Sequence, residues 1–239
     1  RRRGGHRGRA LVPHPPVTGS SLQFILRSLP FLLQGLRVTL VLTLLAGAGG
    51  IVCGVALSLA RLSRVRPLAW LAFAYVSLFR SIPLLLALFW IYLLVPMLTN
   101  YTMGAFESAL IGLTLFEAAY YGEIVRAGIQ AVPAGQSEAA LATGMTGMQV
   151  MRCIVLPQAA RKMAPILLSQ SILLFMDTSV VFVLGIRDFM GVANIIAARD
   201  ARVTPMYLLV AAVYFVVSLA GSQIVRTAQV RLSPTQLRV

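Results

Sequence analysis

Charge is scarce in this chain of 239 residues: Asp, Glu, Lys and Arg together make up 12%, and only seven of these are acids. A soluble domain of this size would need more charge to cover its surface. Lysine occurs once, at Lys162, and the two histidines, His6 and His14, both lie in the first twenty residues. Of the two cysteines, Cys53 sits in an apolar run and Cys153 in a polar stretch, with neither metal-type spacing nor reason to form a bridge. No metal site is therefore expected, and no cofactor. No Gly-x4-Gly-Lys-Ser/Thr loop is present, so the chain is not expected to bind ATP itself. No internal repeat is evident, which speaks against a secondary transporter.

What is abundant is apolar surface. The chain is 58% hydrophobic with a mean hydropathy of +0.83. A membrane-crossing helix needs about 20 mostly apolar residues. Five such segments are expected, at about 38–60, 82–98, 107–125, 163–185 and 205–225. The first is free of charge, and its Gly50 and Gly54 fall on one face, where they permit close helix packing. Residues 68–79 are too short to cross alone, so they form an interfacial helix or the first part of a kinked one. A loop is expected to carry Arg187, Asp188, Arg199, Asp200 and Arg202 between the last two spans. The fold class is thus an all-α membrane domain over 21–239. Residues 1–20, rich in Arg, Gly and Pro, have no apolar core of a signal peptide and read as a disordered basic tail that need not be native.

The net charge of +14 could indicate nucleic acid. The basic residues instead flank the apolar runs. Arg61, Arg64, Arg66, Arg126, Arg152, Arg161, Lys162, Arg226, Arg231 and Arg238 fall on one side, with Glu138 as the acid among them. That pattern puts the 126–162 stretch and the C-terminus in the cytoplasm and the N-terminus outside, in a multi-pass membrane protein. Membrane lipid, not nucleic acid, is the expected surrounding partner.

The most informative stretch is Glu138-Ala139-Ala140-Leu141-Ala142-Thr143-Gly144, then nine residues, then Ile154-Val155-Leu156-Pro157. Read from its residues, it is two short helices broken at Gly144. Pro133 starts the first, Gly144 permits the turn that ends it, and Pro157 stops the second before the next span. Small alanine side chains leave a low surface that another protein can approach.

This spacing resembles the signature of ABC importer permeases, Glu-Ala-Ala, three residues, Gly, nine residues, Ile, one residue, Leu-Pro. Phe79-Arg80-Ser81-Ile82-Pro83-Leu84-Leu85, Glu117 through Ile129, and Leu156-Pro157-Gln158-Ala159 are similar to the polar amino-acid branch. Glu117 to Tyr121 and Phe175 to Val183 look most like glutamate/aspartate permeases. The resemblance spans about residues 21–226. It implies a type I importer permease whose coupling helix (Glu138, Ala139, Ala140, Gly144, with Ile154, Leu156 and Pro157) docks on a separate ATPase subunit. A sister permease subunit and a periplasmic or surface amino-acid-binding protein are the other implied partners. In the branch the position of Met176 is often lysine, so the pocket here differs.

Charges inside a span are costly, about 2.5–3.5 kcal/mol on insertion scales, and face a cavity or a partner. Asp177, followed by Thr178 and Ser179, can hold an α-ammonium group or pair with another helix. Arg80 can grip a carboxylate bidentately or snorkel to the interface. Glu117 either lines the pathway or bonds to the sister subunit. Glu123 and Arg126, three apart, read as a structural pair, and the Tyr120-Tyr121 pair reads as packing. Arg187 is a second candidate cation for an acidic side chain. The implied function is import of amino acids, glutamate and aspartate first. Glutamine, arginine or histidine permeases, a secondary transporter and an integral membrane enzyme are the alternatives. An enzyme would need clustered acids or histidines, which the scattered Asp177, Glu117 and Glu123 do not supply, so no catalytic residue is expected.

Overall fold

In the computed structural model, residues 21–232 are described, and the tail at 1–20 lies outside them. The described residues form eight helices and no strand. They are α1 (Ser21–Arg61), α2 (Arg66–Ser81), α3 (Leu84–Thr99), α4 (Ala105–Gln130), α5 (Ala134–Ala142), α6 (Gly147–Leu184), α7 (Phe189–Arg199) and α8 (Val203–Leu232). Gln23–Arg61, Gly147–Leu184 and Val203–Thr227 are long and apolar enough to cross a membrane, and the bent pair α2–α3 makes a fourth if counted as one span. α4 carries Glu107, Glu117, Glu123 and Arg126 and is the most deeply packed helix, with its long axis against α1.

Local chemistry sets the breaks. Residue 82 precedes a proline and is pushed into extended backbone, so Ile82 has φ −110° and ψ 148°, and α3 leaves α2 at 113°. The segment at 68–79 is thus the first limb of a sharply broken pair. Proline removes a donor and crowds the carbonyl four residues back. Just before Pro96 and Pro157 the helix widens to i→i−5 bonding, with Val95 N–H on the Trp90 carbonyl and Leu156 N–H on the Met151 carbonyl. Pro157, expected from the sequence to stop the second helix of the motif, therefore does not do so. A π turn at Val150–Val155 absorbs it, and α6 runs on as a span.

The core is in three parts. Leu42, Ala46, Leu88, Ala109, Leu113 and Leu174 join α1, α3, α4 and α6. Leu32, Phe189, Ala193 and Met206 join α1, α7 and α8. Val125, Val132, Ala140, Val150 and Ala159 bind the α5–α6 hairpin to the end of α4. The expected loop at 187–202 is corrected: between its terminal charges lies α7, with Val192, Ala193, Ile196 and Ala197 buried. Asp188 caps it, accepting from the Met190 and Gly191 N–H groups. At its other end Arg199 pairs with Asp200 and holds that carboxyl below the usual carboxylate range. Large apolar side chains such as Leu44, Trp70, Phe215 and Ile224 stay about two-thirds exposed, a surface suited to lipid and not to water.

Candidate functional site: a polar cleft and a docking hairpin

A cleft of about 350 Å³ opens beside the α2–α3 break. Ile82, Pro83 and Leu84 form one wall, Phe116 and Tyr120 of α4 a second, and Gln170, Leu173 and Asp177 of α6 a third. The spacings are helical: residues four apart on α4, and residues three and seven apart on α6, share a face. Asp177 is half-buried, and its carboxylate makes no hydrogen bond or ion pair with another described residue. An intramembrane carboxylate left open to a cavity is available to a ligand.

Behind this face sits Glu117, with no exposed surface. Gln170 Nε2 donates to both its oxygens, at 3.1 and 3.3 Å. Gln170 thus joins a buried acid to the cleft wall. Glu117 is thus bonded inside its own chain. Thr178 is fully buried and donates to the Phe175 carbonyl at 2.7 Å. It faces the helix interior, and Ser179 does not line the cleft. Gln170 and Tyr120 were missed as site residues from the sequence. Tyr120 reads as packing there, yet its ring forms cleft wall, while Tyr121 alone is buried and bonds Ser171 at 3.0 Å. The i,i+7 relation of Gln170 to Asp177 is the signal that would have found Gln170.

Arg80 lies next to the cleft. Its guanidinium carbon is 5.6 Å from the Tyr120 ring centroid, and Nη1 is 3.9 Å from Glu123 Oε1. Glu123 also takes hydrogen bonds from Arg61 and Arg126, the latter including Nε at 3.1 Å. The expected Glu123–Arg126 pair is thus one edge of a cluster tying the ends of α1 and α2 to α4. Arg187 is exposed beside the buried Asp188, whose backbone abuts Gly35 in the first half of α1, and does not line the cleft. Among the described residues no three His, Cys, Asp or Glu side chains converge as a metal would need.

The second candidate surface is the α5–α6 hairpin. Pro133 leads into α5, and Gly144 ends the turn at φ +87°, the left-handed region. Thr146 starts α6 with a reciprocal cap: its hydroxyl accepts from Gln149 N–H, and Gln149 Oε1 accepts from Thr146 N–H at 2.7 Å. Ala140 is buried against Val150 and Val155, which leaves Glu138, Ala139, Leu141 and Gly144 facing outward. Ile154 is half-buried, whereas Leu156 and Pro157 are exposed at the root of the span. Lys162 Nζ donates to the Ala131 carbonyl at 2.7 Å and pins the hairpin to the end of α4.

Known proteins share this fold. Residues 48–233 match the family described as binding-protein-dependent transport system inner membrane component. The glutamate/aspartate import permease protein GltK of Escherichia coli O6:H1 is 49% identical over 208 residues, 84% of this chain and 93% of its own length. The arginine transport system permease protein ArtQ of Bacillus subtilis is 35% identical, covering 80% of this chain and 87% of its own. A crystal structure of an amino acid ABC transporter with histidines superposes with a TM-score of 0.84 at 34% identity, over 90% of this chain and 99% of that one. With the matched region holding both the cleft and the hairpin, the chain belongs to the family of inner-membrane components of binding-protein-dependent transport systems, as a transport subunit and not an enzyme.

Proposed function

We propose that this chain is the permease subunit of an ATP-binding-cassette importer that carries glutamate and aspartate across the inner membrane. One observation carries the reading. A rigid hairpin presents Glu138, Leu141 and Gly144 outward, while the span it leads into, α6, bears the Asp177 and Gln170 that line the cleft. A push on the hairpin therefore reaches the cleft through one continuous helix. Support for acidic cargo comes from the similarity to GltK and from Arg80 beside the cleft.

Asp177 takes the cargo's α-ammonium group by a charge-assisted hydrogen bond, and Arg80 takes a carboxylate as a planar fork. Thr178, Ser179 and Glu117 support that site through helix geometry and, for Glu117, through Gln170. An ATPase subunit docks at the hairpin, closes on ATP and tilts α6; a binding protein delivers cargo to the opposite face. A sister permease subunit completes the pathway. The hairpin faces the cytoplasm together with the C-terminus, and the N-terminus lies outside.

The test is binding-protein-stimulated ATP hydrolysis by the reconstituted complex, wild type against Glu138→Lys. The charge reversal is expected to abolish stimulation at unchanged membrane insertion. Full stimulation in the variant would overturn the assignment of the hairpin as the dock.

A further inference from the structure

Three arginines converge on Glu123, and they are not equivalent. Arg61 and Arg126 both hydrogen-bond its carboxylate, and their side chains are only 14% and 22% exposed. Arg80 stands off at 3.9 Å, is 44% exposed, and lies over the Tyr120 ring instead. A carboxylate with two guanidinium partners has little left to offer a third. The Arg80–Glu123 attraction is therefore a longer, partly solvated one, which is weak. The face of Tyr120 on which Arg80 rests belongs to a ring that lines the cleft containing Asp177. The third cation of the cluster is thus both the loosest and the one next to the cleft.

We infer that Arg80 is a transferable cation, shared between Glu123 in the empty permease and the carboxylate of an amino acid in the cleft. With the cleft empty, Arg80 ties the end of α2 to α4 through Glu123. An incoming carboxylate draws it across the Tyr120 face and loosens that tie at the α2–α3 break. Occupancy of the cleft and the hold between α2 and α4 are then alternatives for one guanidinium, so each affects the other by the same factor. Tyr120 serves as the track, since an aromatic face attracts a guanidinium at either position. The inference rests on the cargo site proposed above, and it adds that Glu123, a residue remote from cargo, sets cargo affinity by competing for Arg80.

The competition has a sign that a structural role for Glu123 does not share. Neutralising Glu123 frees Arg80 and should tighten cargo binding, whereas loss of a merely structural acid would weaken it or leave it unchanged. The experiment is calorimetric titration of the solubilised permease–ATPase complex with L-glutamate in the absence of binding protein. Wild type is compared with Asp177→Asn, Arg80→Gln, Glu123→Gln and the Arg80→Gln/Glu123→Gln pair. Glu123→Gln keeps an oxygen for Arg61 and Arg126, and elution profile and melting temperature check that each variant is folded. Where Glu123→Gln is not folded, Glu123→Asp, whose shorter side chain draws the carboxylate back from Arg80, replaces it with the same expected sign.

The expected results are about tenfold weaker binding for Asp177→Asn and Arg80→Gln, and about fivefold tighter binding for Glu123→Gln, the low end of typical coupling between sites. The tightening should vanish in the double variant, where there is no Arg80 to release. Unchanged or weakened binding in Glu123→Gln, with Asp177→Asn still impaired, overturns the sharing of Arg80 and leaves the cargo site standing. Tightening that persists without Arg80 also overturns it. Wild-type affinity retained in Asp177→Asn, or no binding by wild type, overturns the cargo site itself and the inference with it.

Discussion

A methyl group has no space at Gly54. It would lie 2.8 Å from both the Gly122 nitrogen and Tyr121 Cβ and 3.1 Å from the Ala118 carbonyl oxygen, so the obstacle is largely α4 backbone. At Gly47 the neighbour is the far end of Leu174, at 3.3 Å, which can turn aside. Gly54→Ala should therefore cost about 1–3 kcal/mol by overpacking, and Gly47→Ala clearly less; thermal unfolding of the solubilised protein compares the two. The Gly50/Gly54 face was legible in the sequence because glycines four apart leave a groove for a second helix. Its partner, Ala118 to Gly122, was not, since Tyr120-Tyr121 reads as packing and Glu117 just before it as a pathway residue. At Glu117 the chain satisfies the acid itself. Gln170→Ala leaves a buried carboxylate without its donor, and such a loss costs about 1–3 kcal/mol. Glu117→Gln keeps an amide pair there and should cost less. The melting temperature is expected to fall further in Gln170→Ala than in Glu117→Gln, and the reverse order would mean that Glu117 is held by something other than Gln170.

Among the elements, the α5–α6 hairpin is the one whose sequence specified its form most fully. Pro133 fixes its own φ, Gly144 permits the left-handed turn, and the Thr146/Gln149 cap sets the next helix start. Gly144 has open space around it, so substitution there strains only the backbone. An alanine at φ +87° carries the left-handed penalty of about 1–2 kcal/mol. Gly144→Ala is expected to leave insertion and the cleft intact and to reduce binding-protein-stimulated ATP hydrolysis severalfold, because the turn relaxes and α5 rotates out of its docking pose. Stimulation equal to wild type would show that the turn's geometry is not needed for coupling. The elements less legible are those in which tertiary packing reversed a local rule. Pro157 ends a helix by its own chemistry, yet apolar packing on both sides of it, through Val155 and Ala159, holds α6 in line and the π turn takes up the misfit. α7 was hidden because charges at 187–188 and 199–202 suggested a loop, while the uncharged residues between them are what its helix buries.

At the scale of the whole molecule, the two ends of the helix array differ in what holds them. At one end Arg61, Arg80 and Arg126 gather on Glu123, and Lys162 caps α4. At the other, Arg202 lies over the Phe24 ring, Gly35 abuts the Asp188 backbone, and Asp188 and Asp200 accompany the arginines. Arginine and lysine are kept on the cytoplasmic side most strongly in short loops, so the orientation proposed above makes the Glu123 end the inner one. α1, at 41 residues, is about 60 Å long, twice the hydrocarbon thickness of about 30 Å, and in the proposed orientation its first turns would continue past the membrane at the outer end. That arrangement can be read directly. In a background where the exposed Cys53 and Cys153 are replaced by alanine, single cysteines are placed at Glu138 and at Arg187. A membrane-impermeant maleimide added to intact cells should label the Arg187→Cys variant and leave Glu138→Cys unlabelled until the membrane is opened. Labelling of Glu138→Cys from outside would invert the array and separate the hairpin from any cytoplasmic ATPase. Labelling of both would mean that residues 138 and 187 share a face, which α6 forbids if it crosses once, because its 38 residues, Gly147–Leu184, lie between them.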